Sequence, residues 1–253
     1  MADYIVAIPA RYASTRLPGK PLADCDGMPM IKRVALQALN SKAKRVIICV
    51  DDERVAEALE GVDVEVCMTS QECKCGTDRI AEMLKKLNIA PDTVVVNIQG
   101  DEPLINPEHI DMVAELLVKS GADMSTLCAK ITEISDVFDP NCVKVVMDHQ
   151  GFALYFSRCP IPYERDNFKN EVVTELQYPH YHHIGLYGYK AQTVIDYSAM
   201  EQAEIEKCES LEQLRLLNLG YKIAVATTER PPETGVDTEA DLIRINAILK
   251  SRH

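Results

Sequence analysis

No stretch of these 253 residues approaches the ~18 consecutive apolar positions of a membrane-spanning helix, so a span is not expected. The first apolar run, Tyr4 to Pro9, is too short for a signal peptide and follows Asp3 rather than a basic segment. Positive charge is scarce. Lys and Arg number 27 against 39 Asp and Glu, a formal net charge of −12, and no basic stripe with interleaved aromatics occurs. Nucleic-acid binding needs cations that neutralise phosphates, so it is not expected either. The nine cysteines are an odd number in a chain without an export signal, which argues against a disulfide framework and for a reduced, cytoplasmic protein. No internal repeat, low-complexity tract or long linker is found, and there is no Gly-x-Ser-x-Gly elbow, dinucleotide fingerprint or His-Glu-x-x-His.

What the sequence does contain is globular: 47% hydrophobic and 26% charged residues. A chain of this size buries about 70–75% of its surface, enough for a core without staples. Runs at 5–8, 46–50, 64–66 and 94–98 read as strands, and the near-continuous apolar ones suit a sheet covered on both faces. Between them, Met30, Ile31, Val34, Ala35, Ala38 and Leu39 form one helical stripe, and further helices are expected at 53–59, 78–87 and 107–117. The alternation predicts a three-layer α/β/α fold with a mostly parallel central sheet. After Met124 the pattern changes to a hairpin at 143–156, an irregular stretch and a strand at 183–189. Helices follow near 193–200 and 210–219, with a strand at 223–226. A loop at 229–237 precedes a final helix, for which Thr238 and Asp241 are spaced as a capping box. One domain spanning 1–253 is expected, with an inserted antiparallel subregion around 125–190.

The segment after the first strand carries the chemistry. Residues 8–22, Ile-Pro-Ala-Arg-Tyr-Ala-Ser-Thr-Arg-Leu-Pro-Gly-Lys-Pro-Leu, gather Arg11, Arg16, Lys20, Ser14, Thr15 and Gly19 in one loop. Open α/β sheets bind ligands at the carboxyl ends of their strands. Polyphosphate needs close backbone approach at small residues with cations on its oxygens. The loop is not a Walker A motif, because Pro21 follows Gly19-Lys20. A solvated basic loop is the plain alternative.

This segment closely resembles the signature of the 3-deoxy-manno-octulosonate (Kdo) cytidylyltransferases. Further matches follow in family order: Gly76-Thr77-Asp78-Arg79, Asn97 to Pro103, Ala153 to Arg158, His183 to Tyr189, Leu211-Glu212-Gln213-Leu214-Arg215 and Gly235-Val236-Asp237-Thr238. The resemblance implies a Rossmann-like nucleotidyltransferase fold, a homodimer, and transfer of CMP from CTP to Kdo with release of pyrophosphate, supplying lipopolysaccharide. It implies a nucleotide site of Ala10, Arg11, Ser14, Arg16, Lys20, Gly76, Thr77, Arg79 and Gln99, with Arg11, Lys20, Asp101 and Asp237 catalytic. A carboxylate beside polyphosphate is repulsive unless a cation lies between, so Asp101 points to Mg²⁺. The family pattern makes Asp101 and Asp237 both its ligands. As plain alternatives, Asp101 caps the turn before Pro103, Asp237 caps the final helix, and Gly76 to Arg79 merely starts a helix.

For the sugar, the resemblance implies Arg158, Arg165 and His183 at the carboxylate, with Tyr187, Glu212 and Gln213 at the hydroxyls. A zinc site is not expected, since Cys73-x-Cys75 lacks the two-residue spacing that zinc favours. Two departures from the family stand out: Cys75 replaces the usual Ser, and residues 203–209 replace a Pro-rich lead-in to Leu211. An 8-amino-Kdo or another 2-keto acid sugar is an alternative substrate, and a non-catalytic nucleotide-binding module is an alternative of a different class.

Overall fold

The apolar runs at 5–8, 46–50 and 94–98 form buried strands, where continuous hydrophobicity suits a sheet covered on both sides, whereas the strand near 64–66 is mostly exposed. In the computed structural model, which describes residues 2–169, 173–231 and 235–252, the chain opens with β1 (Tyr4–Ala10), α1 (Met30–Leu39), β2 (Arg45–Val50), α2 (Glu53–Glu57), β3 (Glu65–Met68), α3 (Gly76–Lys86), β4 (Val94–Asn97) and α4 (Pro107–Ser120). It continues with β5 (Met124–Lys130), α5 (Ile134–Phe138), β6 (Lys144–Met147), β7 (Ala153–Ser157), β8 (Tyr181–Lys190) and α6 (Ala191–Tyr197). It ends with α7 (Glu204–Glu209), α8 (Gln213–Asn218), β9 (Ile223–Thr228) and α9 (Glu239–Lys250). Residues 232–234, within the loop expected at 229–237, and 170–172, within the irregular stretch, lie outside the described residues. Among the described residues, no helix is long and apolar enough to cross a membrane.

The chain divides into two compact units. The first comprises Met1–Glu115, Leu186–Ala199 and Pro232–His253; the second comprises Leu116–Gly185 and Met200–Pro231. The second therefore takes in more chain than the subregion expected at 125–190.

In the first unit the strands run in the order β3-β2-β1-β4, all parallel, and the carboxyl half of β8 adds antiparallel to β4 with Val94 opposite Lys190 and Asn97 opposite Tyr187. All seven residues of β1 are buried. α3 packs against α6, and α1 buries the predicted stripe, Met30, Ile31, Val34, Ala35 and Ala38. A separate cluster of Cys25, Met30, Val236, Ile245 and Leu249 ties α9 to the segment that follows the basic loop.

In the second unit β5 and β9 pair in parallel, from Met124 opposite Ile223 to Ala129 opposite Thr228. The β6–β7 hairpin forms as expected, with its turn held by the Asp148 carboxylate accepting from the amides of Gln150 (2.8 Å) and Phe152 (2.9 Å). The pattern of residues did not announce β5. Its buried Ser125 and Thr126 interrupt the apolar run, and the strand tolerates Thr126 because its hydroxyl donates to the Ile184 carbonyl at 2.9 Å. The segment replacing the family's Pro-rich lead-in forms α7. Its buried Glu206 takes a bidentate pair from Arg215, Nε at 2.8 Å and a terminal nitrogen at 2.6 Å.

Candidate active site

A cavity of about 360 Å³ lies in the first unit at the carboxyl ends of β1 and β4. Of the residues expected at the nucleotide, Ala10, Arg11, Ser14, Arg16 and Lys20 line it from one side, and Gly76, Arg79 and Gln99 from the other. Thr77 does not; it is buried in the first turn of α3. Gly19 adopts a left-handed φ of 65°, which turns the chain into the short 3-10 segment Lys20–Leu22. Lys74, a further cation on the wall, went unread because it lies outside the basic loop, between Cys73 and Cys75.

Asp101 and Asp237 converge on one ammonium. Lys20 Nζ donates to Asp101 and, at 3.0 Å, to Asp237 Oδ1, which also pairs with Arg16 at 3.0 Å. Backbone places the two carboxylates together: the Val236 amide donates to the Asp101 carbonyl at 2.8 Å, and the Val236 side chain is buried in the cluster under α9. Thr238, not Asp237, caps α9. Its hydroxyl accepts from the Asp241 amide at 3.2 Å, while the Asp241 carboxylate accepts from the Thr238 amide at 3.0 Å. The Asp237 carboxylate is thereby left to face the cavity. Next to Asp101 in the chain, burial first and the charge of Asp101 second push the Glu102 carboxyl up to about 8.

Gly100 explains how the walls approach so closely. A Cβ there would lie 2.8 Å from the Pro9 carbonyl oxygen, between the ends of β4 and β1. Gly100→Ala is expected to cost about 1–3 kcal/mol of stability by overpacking. It is also expected to weaken nucleotide use about ten-fold by moving Ala10 and Asp101 apart. Urea unfolding and steady-state kinetics check both.

The residues expected at the sugar belong, except for Tyr187, to the second unit. Arg158 spends its fork on backbone: Nε donates to the Glu209 carbonyl at 2.6 Å and a terminal nitrogen to Pro140 at 2.8 Å. Arg165 has an 88% exposed side chain and, among the described residues, a 3.6 Å contact with Asp166. Glu212 is exposed, Gln213 buried, and Tyr187 half-buried beside Tyr189.

His183 is expected beside the arginines at the sugar's carboxylate. Burial first, and His182 second, push it down to about 3, with Nε2 3.1 Å from the Thr126 hydroxyl and its ring edge-on to Phe156. The imidazole is neutral at physiological pH and offers a hydrogen bond rather than a charge. The unfolded chain takes up this proton near 6.5 and the folded chain only near 3. The contribution of this group is therefore complete above pH 6.5 and falls as pH drops towards 3, by up to about 1.4 kcal/mol per unit. His183→Gln is expected to lose that slope, measured as the difference in unfolding free energy between about pH 4.5 and about pH 7.5.

The cytidylyltransferase family profile matches residues 5–223. The 3-deoxy-manno-octulosonate cytidylyltransferase of Pasteurella multocida is 49% identical over 99% of this chain and 100% of its own length. That of Aliivibrio salmonicida is 51% identical over 98% of this chain and 99% of its own. This chain belongs to the cytidylyltransferase family. A solved CMP:2-keto-3-deoxy-manno-octonic acid synthetase complexed with CTP superposes with a TM-score of 0.90 at 35% identity, covering 100% of both chains. The expected fold, a mostly parallel mixed sheet flanked by helices, is that of this cytidylyltransferase neighbour.

Cytidylyltransferases use a nucleoside triphosphate, and the donor set suits a hard divalent cation. Two carboxylates from separate elements already share one positive charge, and all their donor atoms are oxygen. Mg²⁺ at phosphoryl-transfer sites is commonly held by one or two carboxylates plus substrate phosphates, so two suffice.

Proposed function

We propose that this chain transfers CMP from CTP to Kdo, giving CMP-Kdo and pyrophosphate for lipopolysaccharide. The observation that carries the reading is the meeting of Lys20, Asp101 and Asp237 at the edge of a cavity rimmed by Arg11, Arg16 and Lys74. In the reaction, the anomeric oxygen of the sugar forms a bond to the α-phosphorus while the bond to the β-phosphate oxygen breaks. The hydroxyl proton passes to solvent. Asp101 and Asp237 would hold Mg²⁺, which when bound neutralises the phosphate oxygens as charge moves onto the leaving group. Lys20 and Arg11 bind the triphosphate, Arg16 and Lys74 add to the positive field, and Gly76 and Gln99 border the cytidine. Such chemistry is positioning and charge neutralisation, consistent with a site that has no activated nucleophile.

On the sugar side, Arg165 takes the carboxylate in this reading, and Arg158, neutral His183, Tyr187, Glu212 and Gln213 are the further residues that the family likeness assigns to the sugar. Arg165 supports it best because its guanidinium is exposed and weakly paired. Losing a charge-assisted hydrogen bond costs about 1.5–3 kcal/mol, so Arg165→Ala is expected to lower kcat/KM for Kdo about ten- to a hundred-fold and leave KM for CTP unchanged. A homodimer working in the cytoplasm belongs to the same reading and rests on the family likeness. Pyrophosphate release, measured with CTP and Kdo, 8-amino-Kdo and a neutral sugar of similar size, tests the function. Preference for the amine or the neutral sugar, or no release with any of them, would overturn it.

A further inference from the structure

Asp51 belongs to neither group of residues above, yet it touches both sides of the nucleotide cavity. It follows β2, and its side chain is 8% exposed. One carboxylate oxygen, Oδ1, accepts from the backbone amide of Tyr12 at 2.8 Å, in the middle of the basic loop. The other, Oδ2, accepts from Arg79 at 2.9 Å, in the first turns of α3. Arg79 is itself 3% exposed in its side chain, and its second terminal nitrogen donates to the Thr69 hydroxyl at 2.6 Å. Thr69 is anchored in turn, its hydroxyl donating to the Val50 carbonyl at 2.9 Å. Tyr12 passes the constraint along the loop. Its ring lies against the Arg54 guanidinium, 3.7 Å from the centroid, and a Cβ on Gly19 would meet its hydroxyl at 3.3 Å. Gly19 precedes Lys20.

We propose that Asp51 is a positioning residue. It sets the phosphate-binding loop against the start of α3, so that one carboxylate fixes the spacing between the triphosphate and cytidine sides of the cavity. Arg79 then acts through Asp51 rather than on the nucleotide, because its fork is committed to Asp51 and Thr69. The physical reason is economy of reference points. The loop from Arg11 to Gly19 has no strand or α-helix of its own, and the two hydrogen bonds of the Asp51 carboxylate link it to α3. A carboxylate with one oxygen for each side gives those two elements a common origin on the rigid end of β2.

The inference rests on the nucleotide reading of the cavity, and its test separates the two. Wild-type protein that neither binds nor turns over CTP removes the nucleotide reading. Wild-type protein that does both leaves Asp51 to be judged alone. Asp51→Asn keeps an acceptor for Tyr12 but turns an amide donor towards Arg79, so the brace opens while Arg79 stays. KM for CTP is expected to rise at least about five-fold, with KM for Kdo within about two-fold. If Arg79 instead bound the nucleotide directly, releasing it from Asp51 would leave KM for CTP unchanged or lower it. A rise of less than about five-fold in folded protein overturns the proposal.

An unpaired buried guanidinium can prevent folding, so Asp51→Ala/Arg79→Leu supplies the second arm if Asp51→Asn fails to fold. Replacing a buried ion pair with apolar groups is often neutral for stability. A purely structural pair would then leave the kinetics of the folded variant intact, whereas a positioning pair would still raise KM for CTP at least about five-fold. Failure of both variants to fold assigns the pair to stability and overturns the proposal.

Discussion

Asp101→Asn is expected to reduce turnover about a thousand-fold while the protein folds normally. The geometry separates the two effects. Asp101 is one of two carboxylates on Lys20, at the cavity rather than in the core, and its backbone carbonyl, which takes the Val236 amide, is unchanged by the substitution. Asn keeps the shape and one oxygen but removes the formal charge that a divalent cation needs. About 4 kcal/mol of transition-state stabilisation lost corresponds to three decades in kcat. The substitution should also weaken Mn²⁺ binding in the presence of CTP, measured by electron paramagnetic resonance, which reports on the metal without turnover. A folded Asp101→Asn protein with near-normal kcat and Mn²⁺ affinity would remove Asp101 from the metal site. The matched control is Thr238→Ala. It unseats the cap of α9 and should cost about 1 kcal/mol of stability, without the thousand-fold loss.

How much of this was legible in the sequence depends on whether a feature is local. The strands β1, β2 and β4 announce themselves because a doubly covered strand must be apolar at every position. The basic loop stands out because three cations cluster within a chain of net charge −12. Asp101 can be picked out in the turn after a strand and Asp237 just before a helix cap, but their meeting on Lys20 is set by the Val236 contact, which no spacing reveals. β5 was hidden because Ser125 and Thr126 interrupt its apolar run, and the Ile184 carbonyl that takes the Thr126 hydroxyl is distant in sequence. Nothing in the sequence sets Asp51 apart from its neighbours in Asp51-Asp52-Glu53, since its partners Tyr12 and Arg79 lie far away in both directions. The neutral state of His183 was unreadable for a related reason: its desolvation comes from strands that assemble around it. Residue type was readable from sequence; protonation state and pairing were properties of the assembled fold.

Lys20→Ala is expected to have the second-largest effect, and the structure makes that effect two-sided. With nucleotide, the variant loses the ammonium assigned to the β- and γ-phosphates, so CTP affinity should fall about a hundred-fold and CMP affinity by no more than about two-fold. Without nucleotide, the same ammonium is held by Asp101 and Asp237 and competes with any other cation for them. Among the described residues, its removal leaves the two carboxylates with the exposed Arg16 pair on Asp237, and exposed pairs contribute little. Mn²⁺ should therefore bind the nucleotide-free variant several-fold more tightly than it binds wild type, by the ordinary competition of two cations for one anionic site. The opposite signs are what make the test discriminating. General damage to the cavity would weaken CTP, CMP and Mn²⁺ together, whereas loss of a shared ammonium weakens the triphosphate, spares the monophosphate and strengthens the metal. Calorimetric titration of all three ligands decides between them, and equal weakening of CTP and CMP would show that Lys20 does not address the outer phosphates.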